Sequence, residues 1–462
     1  MSEQTITYAR NHRDQALEHL QHLLRFPSIA AQPDHSDDVR TTAQWLTQWC
    51  SDIGLEHGQL METGGSPVVY ADWLHAGDDR PTALIYGHYD VQPADPLDAW
   101  TTPPFEPTVR DGRIYARGAN DNKGQFMVHL SAIAAYLASN GQLPINVKCL
   151  LEGEEEIGSP HLESFVRQHQ AQLQADLVIV SDTPMPSPEQ PVIINAVRGL
   201  VAAEVYVQGP SRDLHSGGFG GVIHNPFTVL VQMLASLHDD RGHITIPGFY
   251  DRVRELTPAE RIALNATGVT DEQILHYTGA PALWGEMGYT AAERLGARPT
   301  LDIHGFRGGY AGDGVKTVLP AWASAKVSMR LTPEQDAQEI AQLFSEHMQR
   351  LAPRTVTLKL EALTVANGVA MDTSAPVFEA AALAFERGFG KRSVTRREGG
   401  TLPLVAYMID ILQAPVILMG FGLPEDGIHS PDESFALNQF YWGIETAIHY
   451  YHLLPEVVYS SS

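Results

Sequence analysis

At 462 residues, with 44% hydrophobic and 19% charged side chains, the chain is long enough for two cores of ordinary size. The 31 lysines and arginines stand against 55 acidic residues, a formal charge of -24 that opposes any phosphate-neutralising face, so no nucleic-acid partner is expected. No apolar run approaches the roughly 20 residues of a membrane helix, and Met1-Ser-Glu-Gln-Thr has neither the basic start nor the apolar core of a secretory leader, so the expectation is a cytoplasmic protein without a membrane partner.

In chain order, residues 37–53 have helical apolar spacing, and 68–74, 83–91, 147–152 and 177–181 read as short strands, with a helix at 124–137. Cys50 and Cys149 fall in apolar stretches and read as core residues, because two cysteines cannot form a disulfide framework in a chain of this size. The alternation predicts an α/β fold, a sheet covered by helices. From about residue 199 the texture changes to a strand at 201–207, a helix at 226–237, a strand at 325–331, a helix at 333–351 and a strand at 356–363, the pattern of a smaller α+β domain. Within it, 241–320 is rich in Gly and Pro and shows little periodicity. Helices at 376–389 and 404–412, a strand at 415–420 and a final helix from about 437 then restore the first pattern. The simplest organisation is one domain at 1–198 and 365–462, interrupted by an insert at 199–364.

Chemistry-bearing residues gather where strands end. In Gly87-His88-Tyr89-Asp90 the imidazole and carboxylate are two apart and face the same way, the arrangement in which a carboxylate fixes the tautomer of a metal-binding histidine. Asp121, in Arg117-Gly118-Ala119-Asn120-Asp121-Asn122-Lys123-Gly124, precedes a helix and reads as a cap or as a ligand. Glu154, Glu155 and Glu156 follow an apolar strand, where a solvated turn is the commoner explanation and a divalent cation the alternative. Neighbouring glutamates face different ways, so one is free to bind metal while the other handles a proton. Asp182 follows the strand at 177–181, and Gly427-Ile428-His429-Ser430 supplies a second histidine. Parallel strands would bring these residues to one rim. Two imidazoles and three carboxylates are enough for two borderline divalent ions sharing a carboxylate, zinc by default, with manganese or cobalt also accepted by such a donor set.

These stretches, with Asp213-Leu214-His215-Ser216-Gly217 and Arg397-Glu398-Gly399-Gly400, resemble the M20 metallopeptidases, and among them the carnosinase and cytosolic non-specific dipeptidase group, from about residue 84 to 434. The resemblance implies an α/β, zinc-peptidase-type catalytic domain with a central, mostly parallel mixed sheet, an inserted α+β dimerisation, or lid, domain and a homodimer formed through it. It implies that His88 and Asp182 hold one ion, Glu156 and His429 the other, and Asp121 both, with Asp90 orienting His88 and Glu155 as general base. It implies further that His215 reaches the second subunit's site to steady the oxyanion, that Arg330 grips the substrate's C-terminal carboxylate, and that Thr317 and Thr401 contact substrate. Without the resemblance His215 reads as a turn residue and Arg330 equally as a surface strand arginine. At Thr401 the group often carries serine, which leaves the fit at that position open. The expected reaction is hydrolysis of dipeptides or short peptides by a metal-bound hydroxide. The alternatives are an N-acyl-amino-acid deacylase of the same family, or a metal-binding protein without catalysis, against which Glu155 speaks.

Overall fold

Hydrophobic runs buried along nearly their whole length set the centre of the computed structural model, which describes residues 2–267 and 269–458. Val68–Trp73, Asn146–Glu152, Leu177–Val180 and Val416–Leu418 are buried throughout, and Thr82–His88 is buried after its first residue. Such strands need cover on both faces, which is why they lie inside a sheet and not at its edge. The sheet order is Glu56–Met61, Val68–Trp73, Asn146–Glu152, Thr82–His88, Leu177–Val180, Val416–Leu418, Val192–Val197, Val369–Ala370, with Val394–Glu398 also pairing Val192–Val197. Parallel pairing joins Asn146–Glu152 to Thr82–His88, Thr82–His88 to Leu177–Val180, and Leu177–Val180 to Val416–Leu418. Glu56–Met61 with Val68–Trp73, Val68–Trp73 with Asn146–Glu152, and Val416–Leu418 with Val192–Val197 are antiparallel, so the sheet is mixed, with parallel strands at its centre.

The helix Lys123–Asn140 is apolar around most of its circumference, as a helix covered on all sides must be, and ends at Gly141 with φ of 69°. It lies directly on the strand that carries His88: a Cβ at Gly87 would stand 2.5 Å from Phe126 Cβ. Only glycine permits that approach.

The chain divides into two compact units, the first up to Asn195 with Met371–Arg396 and from Leu404 onward, the second Ala196–Ala370 with Arg397–Pro403. The second therefore takes in the short segment 397–403, which lies outside the 199–364 insert read from sequence. Its sheet is antiparallel in the order Thr300–Gly308, Trp322–Leu331, Gly199–Gln208, Thr357–Ala366. Gly199–Gln208 alternates buried and half-buried positions, and its buried face joins Leu230, Phe344 and Met348 of two helices in one core.

One expected boundary needs correction here. The helix read at 333–351 is Ala337–Leu351, because Asp336 accepts the Glu339 amide at 2.9 Å as an N-cap and Gln335 accepts the Thr332 amide in a turn of its own. The segment 241–320, read as having little periodicity, holds Pro258–Asn265, Asp271–Thr278, Ala291–Ala297 and the Thr300–Gly308 strand. Each of its helices opens with a threonine capping box, Thr257 with Glu260, Thr270 with Gln273 and Thr290 with Glu293, a local signal that periodicity alone does not register. Helices at Ser2–Asn11 and Arg13–Leu24 were also not read from the sequence. Among the described residues, no helix is long and apolar enough to cross a membrane.

Candidate metal centre

His88 ends its strand, Glu155 and Glu156 follow Asn146–Glu152 in a short 3-10 turn, Asp182 lies two residues beyond Leu177–Val180, and His429 follows Val416–Leu418. Because those strands run parallel, all five reach the same edge of the sheet, the edge where open α/β sheets collect ligands.

The distances divide them into two groups with one shared member. His88 Nε2 lies 3.2 Å from Asp121 Oδ1 and 3.7 Å from Asp182 Oδ2. His429 Nε2 lies 2.9 Å from Asp121 Oδ2 and 3.3 Å from Glu156 Oε2. The donor atoms of each trio, His88, Asp121 and Asp182, or Asp121, Glu156 and His429, all fall within 4.8 Å of one another. Asp121 turns one oxygen to each trio, which is the geometry of a bridging carboxylate.

The donor set fits two cations on three counts. His88 Nε2 and Glu156 Oε1 are buried polar atoms without a hydrogen-bond partner among the described residues, and His88 Nε2 faces Asp121 and Asp182. Nδ1 of His88 lies 3.4 Å from Asp90 Oδ1 and 3.2 Å from the Asp90 carbonyl, so the ring proton belongs there and the Nε2 lone pair faces the cage. The electrostatics agree. Burial, and then the charge of neighbouring carboxylates, holds Asp182 and Glu156 above their ordinary range and lifts Glu155 to about 9. Hydrogen bonding to Asp121 and Glu156 pushes His429 up to about 10. A buried acidic cluster of this kind is what divalent cations neutralise.

Asp90 does more than the sequence suggested. Its two oxygens accept the backbone amides of Glu155 at 3.2 Å and Glu156 at 3.1 Å, so one carboxylate aligns His88 and fixes both glutamates.

Three further residues escaped the sequence reading. Glu433, 1% exposed at its side chain, accepts from Arg117 Nη1 at 2.8 Å and from the amides of Gly118, Asn120 and Asp121 at 2.9, 3.0 and 3.1 Å. It therefore moulds the loop that presents Asp121. Its only sequence signal is its place four residues after His429. Asn122 donates to Asp182 Oδ1 at 2.9 Å and to the Ser181 carbonyl at 2.6 Å, and Gln92 donates to Glu156 Oε2 at 2.8 Å. Such amides hold ligands in place without the charge pattern that draws attention to the ligands themselves. Glu433→Ala strands the buried Arg117 guanidinium and is expected to cost about 3–5 kcal/mol in chemical denaturation; an unchanged unfolding midpoint would contradict that role.

The remaining candidates belong to the second unit. His215 is exposed, its Nδ1 accepts the Gly217 amide at 3.0 Å, and it pairs across a two-residue ladder with Val318 beside Thr317, whose carbonyl accepts the Ser216 amide at 3.0 Å. Arg330 Nη1 donates to Thr401 Oγ1 at 2.6 Å. The structure thus pairs His215 with Val318, next to Thr317, and joins Arg330 to Thr401.

Comparison with known proteins agrees with this geometry. Residues 84–452 match Peptidase family M20/M25/M40. The chain is 34% identical over 415 residues to the Cys-Gly metallodipeptidase dug1 of Schizosaccharomyces pombe, covering 88% of this chain and 86% of the relative. It is 31% identical to the Beta-Ala-His dipeptidase of Homo sapiens, covering 89% and 81%. Among solved structures, an M20 family metallo-carboxypeptidase, Sso-CP2 from Sulfolobus solfataricus, superposes with a TM-score of 0.86 at 32% identity, covering 96% of this chain and 99% of that one.

Proposed function

The chain belongs to Peptidase family M20/M25/M40 and is a metal-dependent dipeptidase, and from that premise we propose how its residues divide the work. The observation that carries the reading is Asp121, with one oxygen 3.2 Å from His88 Nε2 and the other 2.9 Å from His429 Nε2. His88, Asp121 and Asp182 would hold one ion and Asp121, Glu156 and His429 the other, zinc being the choice that suits a mixed imidazole and carboxylate set. When bound, the ions supply Lewis acidity and water of lowered pKa.

Glu155 takes a proton from the attacking water and delivers it to the leaving amine. Its position is set by the Asp90 grip on its own amide, and its neighbour Glu156 is left to the ligand role by the same grip. Arg330 grips the C-terminal carboxylate with a planar fork, and Thr317 and Thr401 add hydrogen bonds to the substrate. His215 serves the second subunit of a homodimer, donating to the oxyanion there. Its exposure supports that role, as do the exposed apolar residues Phe219, Val222 and Val315, of which Val315 is 93% exposed. A protein that sediments as a monomer while fully active would contradict it. A cytoplasmic location is in keeping with two free, buried cysteines, and cell fractionation checks it.

The substrate assignment is tested by assaying metal-loaded protein against a free dipeptide, a tripeptide and an N-acetyl amino acid. Turnover of the dipeptide is expected to dominate. Activity restricted to the acylated amino acid would replace the dipeptidase reading with that of a deacylase.

A further inference from the structure

Arg198 stands one residue before the Gly199–Gln208 strand and is 7% exposed, an unusual place for an arginine that makes no ion pair among the described residues. Its Nε donates to the Gly399 carbonyl at 2.8 Å, and its backbone amide donates to the Gly400 carbonyl at 3.0 Å. Its Nη1 donates to the Arg298 carbonyl at 3.4 Å. One residue therefore grips two successive carbonyls of the segment 397–403 and ties them to the end of the Ala291–Ala297 helix. The packing leaves the segment little latitude, since a Cβ at Gly399 would lie 3.0 Å from Arg198 Nη2 and 3.4 Å from the Leu295 carbonyl.

The residue that follows those two glycines is Thr401, whose hydroxyl accepts from Arg330 Nη1 at 2.6 Å. Arg330 itself pairs with Leu200, two positions from Arg198, so the two guanidiniums are near neighbours. Burial, and then the charge of Arg330, lowers Arg198 to about 10, against the pull of Glu398 and Asp302. Burying one cation beside another is costly, and an apolar residue would fill the same volume more cheaply. What an apolar residue could not supply is the fork that fixes a loop by its carbonyls.

We propose that Arg198 is a positioning residue for substrate recognition: by clamping Gly399 and Gly400 it sets Thr401, and through Thr401 it orients Arg330 toward the substrate's carboxylate. This rests on the reading that Arg330 grips that carboxylate, so the test separates the two. Steady-state kinetics are measured on alanyl-glycine and on alanyl-glycinamide, which lacks the terminal charge, with metal-loaded enzyme. The unmodified enzyme should favour the free dipeptide by about tenfold to a hundredfold in kcat/KM, and Arg330→Met should erase that preference. Arg198→Lys, which keeps the charge and loses the fork, should raise KM for alanyl-glycine about tenfold, leave its kcat within about twofold, and leave the amide unaffected.

If the unmodified enzyme treats the two substrates alike, the reading of Arg330 fails and this inference with it. If Arg330→Met behaves as expected but Arg198→Lys leaves the dipeptide KM unchanged, or slows both substrates equally, the positioning role alone is overturned. Should Arg198→Lys not fold, Arg198→Gln, which keeps an amide donor and loses the fork, takes its place: a KM rise confined to the free dipeptide supports the clamp, and its absence overturns it.

Discussion

Glu155→Gln is expected to lower kcat on a dipeptide by about 10²–10⁴ while the protein retains its full complement of metal. The substitution preserves shape and removes only the ability to carry a proton. Asp90 holds residue 155 through its backbone amide, a contact that glutamine keeps, so Glu156 and His88 stay where they are. Because the side chain follows a buried strand and stands among Asp182, Glu156 and Asp121, its carboxyl is one whose protonation the cage governs strongly. Loss of metal together with turnover would make Glu155 a ligand instead of the base. Near-normal turnover would remove it from the mechanism altogether.

Asp121→Asn is expected to abolish activity by removing the shared ligand. The variant keeps one carbonyl oxygen but neither the charge nor the equivalence of two oxygens that lie 3.2 Å from one imidazole and 2.9 Å from the other. Loss of a residue that only supports a ligand costs about 10–100-fold in metal affinity, so loss of a ligand common to both ions should exceed that. Elemental analysis after dialysis should find fewer than two ions per chain. The fold should survive, because Glu433 holds this loop through the backbone amides of Gly118, Asn120 and Asp121 and not through the Asp121 side chain. Retention of two ions by the variant would mean that Asp121 bridges nothing.

Much of the cluster was legible in the sequence because its members are polar or charged residues placed where apolar strands stop, and that contrast survives in one dimension. His88 and Asp182 each follow an unbroken apolar run, and Glu155 and Glu156 do so within four residues. The residues that hold the ligands were harder to find. Glu433 acts on the backbone of a loop more than 300 residues earlier, and Asn122 and Gln92 carry no charge to distinguish them from surface amides. In the second unit the difficulty was of another kind. The helices between 241 and 320 are short and set by their caps, so an apolar period never develops. Arg198 shows the same limit: its partners Gly399 and Gly400 are main-chain groups, and a carbonyl leaves no mark in composition.

The most direct test of the dinuclear account is a metal titration of the stripped, full-length protein in which zinc bound per chain and hydrolysis of a free dipeptide are followed together. The account predicts no turnover without metal and activity that rises to a plateau at two ions per chain. Dipeptide hydrolysis by metal-free protein, or a plateau reached with one ion bound and no second site filled, would contradict it.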